Sequence, residues 1–149
     1  SANEKVNRAL KAGAYAVGAE VEINEIPGYL PLQQEATMGY LFAENIQGLI
    51  GKENIVEGVD LTGSTDAGDV SHIIPTLHPT VGGFAGNAHS KDFKIVDPDM
   101  AYVIPAKAMA LTVVDLLFDD AKLAKDIKAK FKPKFTKESY LRFWDELIK

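Results

Sequence analysis

Apolar residues recur at three- and four-residue spacings over much of the chain, and the elements they predict are mainly helices. Val6, Leu10, Ala14 and Val17 mark a helix over residues 3–19, with Asn3 placed to cap its first turn. Gly13 and Gly18 weaken that helix, by about 1 kcal/mol each relative to alanine at an interior position. Residues 21–24 alternate as a half-buried strand, and Pro27-Gly28 ends it in a turn. Met38, Leu41, Phe42, Ile46, Leu49 and Ile50 form one apolar stripe on a helix over 33–50, which Gly51 stops. Short strands are expected over 55–61 and 77–81, the second ending at Gly82-Gly83. Between them, residues 63–74 read as a loop entering a short helix.

From Asp97 onward the pattern is helical almost to the end. Asp97 is a natural N-cap with Pro98 at the first helical position. Ala101, Ile104, Ala108, Leu111 and Leu116 are apolar, as are many of their neighbours, so this helix is expected to be buried on more than one face. Pro105 should kink it or mark a restart. Asp119 or Asp120 can cap a helix ending near Lys130, and Thr136 can cap the last one through residue 148. That last helix carries Tyr140, Leu141, Phe143, Trp144, Leu147 and Ile148. The lysine-rich stretch over 122–134 mixes both charge signs and reads as a solvated face.

The expected fold class is α/β, helix-rich with a few strands. A lone helix and strand at the start cannot close a core of their own. A parallel sheet needs several strands with crossovers, and too few are offered. The shape is that of a piece of a larger fold.

Composition narrows the function. At 149 residues, 46% hydrophobic and 25% charged, the chain is globular and of single-domain size. A net charge of -5 argues against nucleic acid as a partner. The absence of cysteine excludes disulfides, a thiolate nucleophile and Cys-ligated zinc. No stretch approaches the roughly 20 apolar residues of a membrane span, and no targeting segment is visible, so no membrane partner and a cytoplasmic location are expected.

The chemistry-bearing region begins at Gly63-Ser64-Thr65-Asp66-Ala67-Gly68-Asp69-Val70-Ser71-His72 and runs to His89-Ser90-Lys91-Asp92-Phe93. It holds all three histidines, His72, His78 and His89. Glycine-rich loops let backbone approach a ligand closely, although Ser64, Thr65 or Asp66 can equally serve as the N-cap of a short helix. His89 is the best local candidate for a ligand, because it follows the small residues of 82–88. No two histidines have the spacing that sets both on one helical face, and no Gly-x-Ser-x-Gly elbow or phosphate-binding loop is present. Asp66 and Asp69 can be read as an acid/base pair or as solvated charge. A zinc site from His72, His78 and His89 with Asp66 or Asp69 is not favoured by their spacing.

The run Gly63 to Ser71, then Pro75-Thr76, His89-Ser90 and Pro105-Ala106-Lys107-Ala108-Met109-Ala110, resembles the two-metal aminoacylase/carboxypeptidase metallopeptidases, in the branch of amidohydrolases that cleave aminobenzoyl-glutamate and similar N-acyl amino acids. Residues from Ala9 to Ala14 and from Gly28 to Leu32 resemble the end of that family's lid domain. The resemblance implies residues 1–30 as the end of a lid/dimerisation domain and 31–149 as the C-terminal part of the catalytic domain. It implies zinc or another divalent metal in the complete enzyme, where two metals activate a bridging water and a glutamate acts as general base. His89 matches a metal-binding histidine, and Ser64, Thr65 and Asp66 match a loop bordering the substrate. No other catalytic residue is carried over. The family's remaining ligands and its general base belong to an N-terminal part without counterpart here, so that part is the expected partner, with a small N-acyl amino acid as substrate. The alternative is a non-catalytic remnant that binds a partner or assembles as a homo-oligomer.

Overall fold

The computed structural model describes residues 2–59 and 63–147. Its helices are α1 (Ala2–Ala16), α2 (Ala36–Ile50), α3 (Ala67–Ser71), α4 (Ile104–Lys130) and α5 (Lys137–Leu147). A 3-10 turn, Lys52–Asn54, follows α2, and a π-helical turn, Asp99–Val103, precedes α4. Strands β1 (Phe84–Ala85) and β2 (Lys94–Ile95) pair antiparallel, with Phe84 opposite Ile95 and Ala85 opposite Lys94. The result is the helix-rich α/β class that the periodicity predicts, with a small two-stranded sheet.

The core lies between α2 and α4. Phe42 and Ile46 of α2 pack with Ala108 of α4, surrounded by the partly buried Leu49, Ile50, Ile55, Leu77 and Ile104. Burial of side chains the size of Phe42 and Ile46 contributes about 1.5–3 kcal/mol each. Ala108 is fully enclosed, so the two helices meet over a methyl group. Polar contacts from Asn45 of α2 fix their register: its Nδ2 donates to Asp115 Oδ2 at 2.8 Å and to Thr112 Oγ1 at 3.4 Å, both on α4.

Helix boundaries follow local chemistry. Gly18 does not weaken α1 from within; at φ 70° it is the left-handed residue just past the helix end. There the Ala19 N–H reaches Ala14 O at 2.9 Å and the Gly18 N–H reaches Tyr15 O at 3.1 Å, which closes a Schellman motif. Glu35 caps α2 by accepting from the Met38 N–H at 2.7 Å, and Gly51, at φ 83°, stops it. Asp97 Oδ1 accepts from the Met100 N–H at 3.0 Å, the cap expected of it. Pro105 stands in the first turn of α4, and the π-helical turn before it makes the restart. Thr136 and Ser139 cap α5 reciprocally, with Thr136 N–H to Ser139 Oγ at 2.8 Å and Ser139 N–H to Thr136 Oγ1 at 3.2 Å.

Three strand expectations are corrected. Residues 21–24, 55–59 and 77–81 carry strand-like sequence but join no ladder, because none lies beside another strand. The rest of the 55–61 expectation reaches residues outside those described. The observed hairpin, β1–β2, was not anticipated, since its strands are too short for alternation to register; stacking of Phe84 on Phe93, with ring centroids 5.0 Å apart, holds it.

Helix α4 departs from expectation as well. The run Asp99–Lys130 is long and apolar enough to cross a membrane by length and composition, with a mean hydropathy of 1.6 over its best window. A soluble core helix passes the same test. The backbone also leaves helical geometry at Phe118–Ala121, where Asp119, Asp120 and Ala121 all have positive φ. The expected restart near Asp119 and Asp120 is therefore present, as a left-handed turn rather than a side-chain cap.

The enclosed methyl at the α2–α4 crossing gives a sharp test. Ala108→Leu should destabilise the protein by about 1–3 kcal/mol through overpacking, while Ala110→Leu, on the exposed side of the same helix, should change stability by less than about 0.5 kcal/mol; urea unfolding of both variants measures the contrast.

Candidate functional site

The Gly63-to-His72 motif folds as a loop entering α3. The Ala67 N–H donates to Thr65 Oγ1 at 3.4 Å and the Gly68 N–H to Thr65 O at 2.9 Å, so Thr65 closes the entry turn. Thr65 Oγ1 also donates to Asp66 Oδ1 at 3.2 Å. Asp66 is the residue before the helix, but its side chain makes no capping bond. Ser64 and Asp66 are exposed and Thr65 is half-buried, which displays two polar side chains at a loop surface.

Behind that loop, α3 is the anchor for three distant segments. A Cβ on Gly68 would overlap the Leu30 carbonyl, so only glycine lets residues 30–32 lie this close to the helix. The Leu30 N–H donates to Asp69 Oδ1 at 2.9 Å and the Gln33 N–H to Ser71 Oγ at 3.0 Å. Ser71 Oγ in turn donates to Gly68 O at 2.5 Å. His72 is buried, with Nδ1 2.9 Å from the same carbonyl, which sets Nδ1 as the protonated nitrogen. The His72 carbonyl accepts from the N–H groups of Lys134 and Phe135, at 2.9 and 3.2 Å. The bonds of Leu30, Gln33, Lys134 and Phe135 tie distant segments to α3, and those of Ser71 Oγ and His72 Nδ1 to Gly68 O close on the helix itself.

Asp69 has a second neighbour, Tyr140 of α5. Burial pushes the Tyr140 hydroxyl above its ordinary pKa, and the negative charge and hydrogen bond of Asp69 push it further the same way. Its ring stands edge-on to Trp144, with centroids 6.3 Å apart. Phe135 packs on His72, Tyr140 and Phe143 to complete this aromatic layer. Asp66 and Asp69 are thus not an acid/base pair, since one is solvated and the other is committed to Leu30 and Tyr140.

His89 sits at the exposed tip of the β1–β2 hairpin with φ 62°, a left-handed conformation uncommon for a residue with a side chain. Ser90 braces the tip, its Oγ donating to Asn87 O at 2.8 Å and accepting from the Asp92 N–H at 3.2 Å. Gly86, at φ 85°, lets the Asp92 carbonyl lie where a Cβ would be. His78 lies apart from both, its backbone N–H donating to Gln34 Oε1 at 2.9 Å. Among the described residues no three His, Asp or Glu side chains converge as a metal would require. The zinc site built from His72, His78 and His89 with Asp66 or Asp69 is not formed, and His89 alone does not make a metal centre.

The fold and the motif loop define a helix-rich α/β unit with a rigid anchor behind a polar loop. No family model matches the chain, and no solved structure matches it. Two curated relatives do: the Xaa-Arg dipeptidase of Mus musculus is 32% identical over 148 residues, covering 93% of this chain and 34% of the relative. The Xaa-Arg dipeptidase of Homo sapiens is 30% identical over 148 residues, covering 93% of this chain and 33% of the relative. The chain therefore spans about a third of the length of the curated relatives it matches. Both relatives are named as dipeptidases, and neither is named for aminobenzoyl-glutamate.

The anchor makes a titration test. Removing the charge in Asp69→Asn should bring the Tyr140 pKa down toward its ordinary value. Because that pKa is raised in the fold, the contribution of neutral Tyr140 to stability is present below the unfolded tyrosine value, about 10, and is lost as pH rises through the folded one. Alkaline ultraviolet titration of the protein, of Asp69→Asn and of Tyr140→Phe isolates this tyrosine.

Proposed function

We propose that the chain is the C-terminal portion of a metal-dependent amidohydrolase that cleaves the amide bond between an acyl group and a terminal amino acid, with a dipeptide as the substrate class. The 32% identity to the mouse Xaa-Arg dipeptidase over 93% of the chain carries this reading. Residues 1–30 then end a lid domain and 31–149 belong to a catalytic domain, in a cytoplasmic protein. N-acyl amino acids such as aminobenzoyl-glutamate share the scissile amide and remain the second substrate class.

Ser64 and Asp66 are the side chains that would meet substrate, and Thr65 orders their loop. His89 would bring one imidazole from the hairpin tip to a metal, zinc or another divalent ion, whose other ligands lie outside this chain. The braced, left-handed tip holds that ring away from its own fold, as a ligand shared with another part of the protein needs. Alone, the chain lacks the ligands and the general base for hydrolysis.

Co-expression with the two thirds of the mouse dipeptidase that the chain does not match tests the proposal. The reassembled pair should hydrolyse an Xaa-Arg dipeptide in the presence of a divalent metal, and the chain alone should not. His89→Ala should lower both rate and bound metal at least tenfold. Hydrolysis by the isolated chain, or full activity in His89→Ala, overturns the assignment.

A further inference from the structure

The Ser64–Asp66 loop leans on a helix that cannot stand by itself. It leads into α3, which is five residues long, and isolated helices shorter than about 12–15 residues are marginal in water. The bonds that shape the loop run into that helix: the Gly68 N–H meets Thr65 O at 2.9 Å, and the Asp69 N–H meets Asp66 O at 3.0 Å. Whatever fixes α3 therefore fixes the loop.

Part of that support comes from the last helix. The N–H groups of Lys134 and Phe135 donate to His72 O, and Phe135 packs on the His72 ring with centroids 6.2 Å apart. Phe135 also packs on Tyr140 and Phe143, at 6.3 and 5.3 Å, so α5 rests on this junction. From there the Tyr140 hydroxyl reaches back to bond Asp69. The same carboxylate accepts from the Leu30 N–H at 2.9 Å, so Asp69 is held by one segment before it and by one after it in the chain. A hydroxyl on a ring already set in an aromatic layer loses little freedom in making such a bond.

We infer that Tyr140 is a positioning residue for the Ser64–Asp66 loop. It acts from α5 through Asp69 and α3, and the loop makes the contact with substrate. Its effect on dipeptide binding rests on the proposed function, whereas its effect on loop order does not, and the two are measured separately.

Hydrogen exchange of the free chain measures loop order. Tyr140→Phe keeps the ring and removes only the hydroxyl, and it should speed exchange at the Gly68 and Asp69 amides about tenfold. Amides of α2 around Phe42 and Ile46 should not change, and none of these should change in Leu141→Ala, on the exposed side of α5. Asp69→Ala should give at least the same rise, and adding Tyr140→Phe to it should raise exchange no further, because Tyr140 acts through that carboxylate. In the chain co-expressed with the unmatched two thirds of the mouse dipeptidase, Tyr140→Phe should raise KM for an Xaa-Arg dipeptide about fivefold and leave kcat within about twofold. Unchanged exchange at Gly68 and Asp69 in Tyr140→Phe, an equal rise in α2, or an additive rise in the double variant overturns the inference. So does a fall in kcat with KM unchanged. A pair that hydrolyses no dipeptide removes the proposed function, and the exchange pattern then still decides the role of Tyr140.

Discussion

The close approach of the Leu30 backbone to Gly68 is the constraint on which the remaining structure depends. It is possible only because α3 has no side chain at that position. Where residues 30–33 pass the helix, the part-buried N–H groups of Leu30 and Gln33 find acceptors in Asp69 and Ser71. A buried donor left without one costs about 1–3 kcal/mol. The same short helix offers His72 to the segment before α5, so one turn and a half of backbone joins the start, the middle and the end of the chain.

A second constraint is the long α4. Its buried stripe is only one residue wide at Ala108, which brings α2 close and leaves little apolar area enclosed. Beyond it, Asp119, Asp120 and Ala121 adopt left-handed geometry that costs about 1–2 kcal/mol per residue with a side chain. The exposed ion pair of Asp120 with Lys125, at 2.7 Å, offsets little of that. The turn nevertheless redirects the chain so that Phe135 and Tyr140 reach His72 and Asp69.

These two constraints explain the division of labour within the glycine-rich motif. Its second half, Gly68 to His72, is structural: the side chains of Asp69, Ser71 and His72 all have internal partners, and Gly68, Ser71 and His72 are buried. Its first half, Ser64 to Asp66, is displayed on a fixed base. A polar loop held on a rigid anchor loses little entropy when it contacts a ligand. The hairpin bearing His89 is a separate projection, braced by its own short bonds. The chain presents these parts on different elements.

Helix positions and their ends were legible in the sequence because they depend on neighbours a few residues away. The stripe over 38–50, the cap at Asp97, the restart at Pro105 and the cap at Thr136 all follow from local hydrogen bonding and apolar spacing. Strands were not legible, because a ladder needs a second segment at the right distance; residues 21–24 and 77–81 have the alternation without the neighbour. The same limit applied to the candidate site. His89 could be singled out on local grounds, and Ser64, Thr65 and Asp66 through the family resemblance, but the different surroundings of Asp66 and Asp69, identical in chemistry and three residues apart, were set only by tertiary structure. One faces water, and the other faces Leu30 and Tyr140, from segments about 40 and 70 positions away in the chain.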